Sequence, residues 1–258
     1  MFKHLREIGY DLSSTYHAES LLEVEFREAH DQIEDVLSKF SIAVEELVSG
    51  GGGEADLTQR LRRALSELGW DKQNLLVEKR LLRFVGKLGS DNYEKQDEQT
   101  IQALSHEIDH VQAFERGTVL LEIEWNNKDP FFDRDLENFK RLHGDGAASL
   151  GIILTRGASL QNGLVDIINR YGRENKLVSE DAILAHGLEP TKRQLDMYKR
   201  AAKRFDGDYA RGWARSFVSD KYGTATTHWE KLIDRINRGV GNPCPLVAIG
   251  IPASIVTF

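Results

Sequence analysis

Ile108-Asp109-His110, followed after a short turn by Val119-Leu120-Leu121-Glu122-Ile123-Glu124-Trp125, is the stretch around which the chain is organised. It reads as two β-strands that bring the carboxylates of Asp109, Glu122 and Glu124 together. Glu122 and Glu124 are two residues apart on an apolar strand, so both side chains leave the same face. Acids paired in this way repel each other and lose hydration. A strand built for stability alone rarely carries them without a cation to offset the charge. The set suits a hard cation such as Mg²⁺, with Asp109 and Glu122 bridging the metal and the Ile123 carbonyl adding an oxygen. Glu124 would then hold or deprotonate an attacking water. The plainer reading is that Glu122 and Glu124 face solvent on a half-exposed strand.

Working outward, Leu75 to Val85 reads as strand, residues 89–98 as a polar loop, and Thr100 to Val111 as the strand that delivers Asp109. Beyond Trp125, a turn at Asn126 to Pro130 leads to a helix from Phe131 to Leu142, stopped by Gly144 and Gly146. Leu150 to Thr155 is a short apolar run bounded by glycine, typical of a buried central strand. Strand, strand, helix, strand is the signature of an α/β core with helices on its faces.

The flanks fit this frame. Residues 17–38, with Lys39 as the outer limit, have helical spacing, and Phe40 to Val44 reads as either a strand or a continuation of that helix. Gly50 to Gly53 precede a helix that starts at Glu54 to Leu57 and stops at Gly69. They are either a linker or a loop whose backbone approaches a ligand, and with no Lys-Ser/Thr after them they are no P-loop. Further helices are expected from about Asn162 to Tyr171, over 193–205 and from Trp229 to Asn237. Lys221 to His228 reads as a polar loop, and Leu246 to Ile251 and Ser254 to Phe258 as closing strands.

At 258 residues, 40% hydrophobic and 29% charged, the chain is one large domain or a core with an elaborated subdomain. No apolar run approaches the roughly 18–20 residues of a membrane span. The first residues are charged where a signal peptide would need an apolar core. A single cysteine, Cys244 between two prolines, excludes an intrachain disulfide, reads as a small buried residue and fits a reducing cytoplasm. The net charge of −7 neither announces nor excludes a nucleic-acid ligand. Its distribution is uneven: acids crowd residues 19–57 and 91–107, while bases recur at Arg60 to Arg63, Lys192 to Arg204 and Arg211 to Lys221.

The acid-bearing stretch, continued through Asn126-Asn127-Lys128-Asp129-Pro130-Phe131, resembles the active-site region of type II restriction endonucleases of the BglII and BstYI family. The resemblance takes in Tyr16-His17-Ala18, the glycines before a helix ending in Gly69-Trp70, and Ile153-Leu154-Thr155-Arg156-Gly157. It continues through Lys221-Tyr222-Gly223, Thr226-Thr227-His228 and Ile255-Val256-Thr257-Phe258, in the expected order over most of the chain. It implies a restriction-endonuclease-like PD-(D/E)xK core, an α/β fold whose mixed sheet is flanked by helices, with DNA-recognition and dimerisation elements added. One domain over 1–258 is expected: an N-terminal helical part (1–50), a catalytic core (54–170), then recognition loops and closing strands (171–258).

The resemblance also implies a homodimer on a palindromic site in double-stranded DNA, centred on GATC as relatives tend to read. It implies Mg²⁺-dependent phosphodiester hydrolysis leaving 5′-phosphates. A cognate methyltransferase is expected in the same system, though not as a stable complex. Asp109 and Glu122 become metal ligands. Glu124 stands where the wider superfamily usually has lysine and close relatives glutamine, with glutamate in the related BamHI enzyme. Its role stays open between general base, second metal ligand and water-orienting group. Glu54 is a candidate accessory acid.

DNA contacts are expected from the flanking loops. Asn126 and Asn127 suit an adenine edge, and Arg156 a guanine or phosphate, with Gln161 beside it. Lys128 suits the scissile-side phosphate or a solvated turn. Lys221, Tyr222, Thr226, Thr227 and His228 suit a backbone-contacting or base-reading loop, His228 equally a locally packed helix-start residue. Trp70, Trp125, Trp213 and Trp229 read as core or interface residues. The rival readings are a nuclease with a repair or modification-dependent role and a catalytically silent DNA-binding module. Intact Asp109, Glu122 and Glu124 argue against the latter.

Overall fold

Apolar strands buried along their whole length need helices on both sides of a sheet, and the fold supplies them. The computed structural model describes residues 1–49, 53–87, 89 and 93–258. Three of the four glycines singled out above, Gly50 to Gly52, lie outside the described residues, as do Leu88 and Ser90 to Asn92. The chain opens with α1 (Lys3–Ile8), β1 (Asp11–Ser14), α2 (Ala18–Ser20), a π-helical turn (Leu21–Glu25) and α3 (Arg27–Lys39). It continues with β2 (Ile42–Ala43), α4 (Val44–Val48), α5 (Asp56–Ser66), β3 (Asp71–Val85), β4 (Glu94–Phe114) and β5 (Gly117–Glu124). Next come α6 (Phe131–Gly144), β6 (Leu150–Arg156), α7 (Ala158–Glu174), α8 (Glu180–Ala185), α9 (Lys192–Lys203) and α10 (Tyr209–Lys221). The chain closes with α11 (Trp229–Asn237), β7 (Leu246–Ile251), a 3₁₀ turn (Ala253–Ile255) and β8 (Val256–Thr257).

Six strands form one mixed sheet in the order β1-β7-β6-β5-β4-β3. β5, β6 and β7 are parallel, while β4 runs antiparallel to β5 and β1 antiparallel to β7. Alternation sorts the central strands into two cores. Val119, Leu121 and Ile123 pack with Leu160, Leu164 and Ile168 of α7. Leu120 and Ile153 face the other way, onto Phe132, Leu136 and Phe139 of α6 and Leu232 of α11. Gly151 allows that closure, because a Cβ there would run into the Phe139 ring.

Several sequence expectations are corrected. The polar stretch expected as a loop over 89–98 is strand from Glu94, because β3 and β4 continue as a two-stranded arm exposed on both faces and so lose the alternating pattern. The helix over 17–39 is interrupted by the π-helical turn and by Phe26 at φ −118°. Phe40 to Val44 divides into β2 and the start of α4, and the closing strand shrinks to β8, which pairs with β2. Lys221 ends α10 rather than opening a loop. The elements α1, β1, α8 and α10 have no counterpart in the sequence reading.

Candidate active site

The pairing of β4 with β5 sets the geometry. His110 lies opposite Leu121, which brings Asp109 level with Glu122, and the Asp109 N–H reaches Glu122 Oε2 at 3.3 Å. Glu122 and Glu124 occupy the Leu120 face, toward α6, and are 2% and 1% exposed. The half-exposed-strand reading is therefore wrong for both.

The sequence reading missed a further acid. Asp135 on α6 is fully buried, with Oδ1 accepting from Arg134 Nε at 2.7 Å. Its Oδ2 meets no hydrogen-bond donor, and the Glu124 carboxyl lies close enough for the two acids to influence each other. A signal for this residue was present: Asp135 follows Phe132 by three and precedes Phe139 by four, on the stripe that packs against the sheet.

Electrostatics follow from burial. Desolvation, reinforced by the negative charges of Asp135 and Asp109, pushes the Glu122 carboxyl far above the ordinary range. Desolvation and Asp135 likewise raise Glu124, to about 8. Asp135 is raised by burial, partly countered by Arg134 and by the Glu124 contact. The cations present are few. Arg134 reaches Glu124 Oε1 at 3.5 Å, and Lys72 stands 3.9 Å from Asp109 and 2.7 Å from Glu107. Asn127 Nδ2 donates to Glu124 Oε2 at 2.8 Å.

A cleft of 540 Å³ opens in front of these acids, lined by Glu54, Arg62, Asp109, Ile123, Asn126 and Asn127, with Lys221 and Tyr222 at its side. Glu122 and Glu124 stand behind its wall, linked to it through Asp109 and Asn127. Glu54 shares the cleft with Asp109 and pairs with Arg62 at 2.8 Å.

The residues expected to touch DNA separate into tips and braces. Asn127 and Lys128 are exposed and Asn126 half-buried. Arg156, expected to reach guanine or phosphate, is instead fully buried. Its guanidinium donates to Gln161 Oε1 at 3.0 Å, Asn126 Oδ1 at 2.8 Å, Thr226 Oγ1 at 2.7 Å and the Trp125 carbonyl. Burial among neutral acceptors lowers it to about 10. Gln161 Nε2 donates to the Tyr222 carbonyl, and the buried Tyr222 hydroxyl to the Leu47 carbonyl. Lys221 Nζ also donates to Leu47 O, at 3.2 Å, and burial depresses it to about 8. Thr227 is buried: its N–H donates to the Asn127 carbonyl and its Oγ1 accepts from the Asn127 N–H. His228 is buried with both ring nitrogens unpartnered, and burial lowers its pKa. Thus Arg156, Gln161, Tyr222, Thr226 and Thr227 fix the shape of a double loop whose exposed tip is Asn127, Lys128, Thr224 and Ala225. Trp70, Trp125 and Trp213 are core residues.

The acids suit a hard divalent cation. Buried carboxylates outnumber the cations beside them, and Asp135 leaves an oxygen without a protein donor. Among the described residues no three His, Cys, Asp or Glu side chains are grouped to hold a metal as they stand. Instead the acids are joined pairwise, Glu122 with Asp109 and Glu124 with Asp135. Two carboxylates completed by water and a substrate phosphate are a donor set that Mg²⁺ commonly uses.

No helix among the described residues is long and apolar enough to cross a membrane. No curated protein matches the chain. The family model described as restriction endonuclease BglII/BglIII matches residues 10–251, nearly the whole chain. With its mixed sheet and a buried acid group behind an open cleft, the chain belongs to the BglII/BglIII restriction endonuclease family.

Proposed function

We propose that this protein is a type II site-specific deoxyribonuclease with a PD-(D/E)xK core, hydrolysing double-stranded DNA at a short palindrome centred on GATC. The observation that carries the reading is the buried set Glu122, Glu124 and Asp135, joined through the half-exposed Asp109 to a 540 Å³ cleft, in a chain of this family. Such a set is costly to a fold and is kept where a cation offsets it. Asp109 and Glu122 would hold Mg²⁺. When bound, the ion would acidify the attacking water and offset charge on the phosphate.

The chain's own residues do the rest. Glu124, held between Asn127 and Arg134, would orient the water and, once ionised beside the cation, take its proton. Water adds to phosphorus as the bond to the 3′-oxygen breaks; the 3′-oxygen takes a proton from solvent, and the 5′-phosphate remains. Asn127 couples reading to cutting, because one side of it lies at the loop tip and its amide holds Glu124. A two-fold homodimer would match the palindrome. The arm gives such a dimer a physical motive, since Leu76, Leu82, Val85 and Ile101 are each 45% or more exposed on it. The setting proposed is the cytoplasm, in a restriction–modification system with its own methyltransferase.

Incubating the purified protein with plasmid and phage DNA in Mg²⁺ and sequencing the fragment ends tests this reading. Discrete fragments with one shared palindrome at their ends and 5′-phosphates are expected. No cutting with either Mg²⁺ or Mn²⁺ would overturn it.

A further inference from the structure

Between Lys192 and Arg215 the sequence places eight Lys and Arg against three Asp, in a chain whose net charge is −7. The structure makes this a face. α9 and α10 pack antiparallel, with Gly212 against the Ala202 backbone and Gln194 Nε2 donating to Asp220 Oδ2 at 2.9 Å. Tyr198, Ala202 and Trp213 are buried, while all eight cations are exposed. Arg193, Arg200 and Arg204 follow one another by seven and four residues, so they share a stripe along α9.

Elsewhere on the surface cations are commonly held by carboxylates: Arg60 by Glu46, Arg62 by Glu54, Lys79 by Asp145, Arg83 by Asp97, Arg170 by Glu174. On this hairpin Lys192, Arg200, Lys203, Arg204 and Arg215 have no carboxylate partner among the described residues. Leaving that many like charges together costs repulsion, which an external polyanion would relieve. The face also adjoins the cleft: Arg193 lies 3.9 Å from Asp220, the neighbour of Lys221 in the cleft wall.

We propose that the α9–α10 hairpin is a second DNA-contact surface, binding the phosphate backbone of duplex that flanks the site held in the cleft. This rests on the nuclease reading above. α9 has twelve residues, a length of about 18 Å, enough to follow roughly five phosphates of one strand. The contact carries no sequence information; it adds affinity and salt dependence.

The test uses Arg200→Gln, Lys203→Gln and Arg204→Gln combined, two exposed positions in the last turn of α9 and the residue that caps it, where glutamine keeps helix propensity. Binding to 12- and 40-base-pair duplexes of random sequence is measured by fluorescence anisotropy in Ca²⁺ over a salt series. On the longer duplex the variant should bind at least tenfold more weakly at low salt, with a salt slope shallower by about one unit per lost phosphate contact. On the shorter duplex it should match wild type within about twofold. Equal affinity on both lengths, or equal loss on both, would overturn the flanking contact. Unchanged DNA affinity with altered sedimentation would assign the face to a protein partner instead. A wild type that binds neither duplex and cuts no DNA would remove the nuclease reading and this surface together; normal cutting with an unaltered variant removes the surface alone.

Discussion

Glu122 and Glu124 sit where ionisation is hardest, and that placement sets how the site would meet the proposed cation. Their folded-state carboxyls are raised above the unfolded value near 4.5, Glu124 to about 8 and Glu122 higher still. The stability they contribute is therefore fully present below 4.5 and declines as pH rises through the folded values. To bind a cation they must give up protons, so uptake should release protons and tighten with rising pH over the same window. Calorimetry of Ca²⁺ uptake at pH 7 in two buffers of different ionisation enthalpy measures the release; none would contradict protonated acids at the site. Asp135 belongs to the same group. Asp135→Asn keeps its shape and removes one buried acid, so the cation-free protein should melt at the same temperature or higher. Cleavage should fall about 10- to 100-fold, as when the support of a metal site is altered. Undiminished single-turnover cleavage would remove Asp135 from the site.

At the scale of elements, the sequence shows a segment well when its packing leaves a clean pattern: an apolar strand when both faces are buried, a recurring stripe when a helix has one wet side. β6 is an unbroken apolar run, β5 an apolar strand carrying the two acids and α6 a recurring stripe, because they border the two cores, and strand parity puts Glu122 and Glu124 on one face. The arm was half-read as loop, since both its faces are wet and no alternation marks it. α10 went unseen for the opposite reason: Ala210, Gly212, Trp213, Ala214 and Ser216 are all buried, so its period is blurred. Arg156 differs from its expected DNA contact because sequence shows a cation near a site and not where its donors go. Its role is to tie the loop after β5 to the loop after α10. Arg156→Ala should leave several buried acceptors unpaired, costing about 2–4 kcal/mol in urea unfolding. Arg156→Lys, lacking the planar fork, should recover little of it. A loss below about 1 kcal/mol would show that the loops hold without it.

The whole molecule joins three surfaces: a cleft backed by acids, a basic hairpin beside it, and an arm that carries apolar side chains into solvent. The arm should find its cover in a second copy. Leu82→Glu with Ile101→Glu should shift sedimentation from dimer to monomer mass while leaving the monomer folded; an unchanged dimer would place the interface elsewhere. The central claim, that the buried acids cut DNA held in the cleft, is tested most directly by Glu122→Ala assayed for binding and cleavage side by side. Cleavage in Mg²⁺ should fall by at least about a thousandfold, while affinity for the mapped palindrome in Ca²⁺ stays within a few-fold of wild type. Cutting at the wild-type rate would contradict the account.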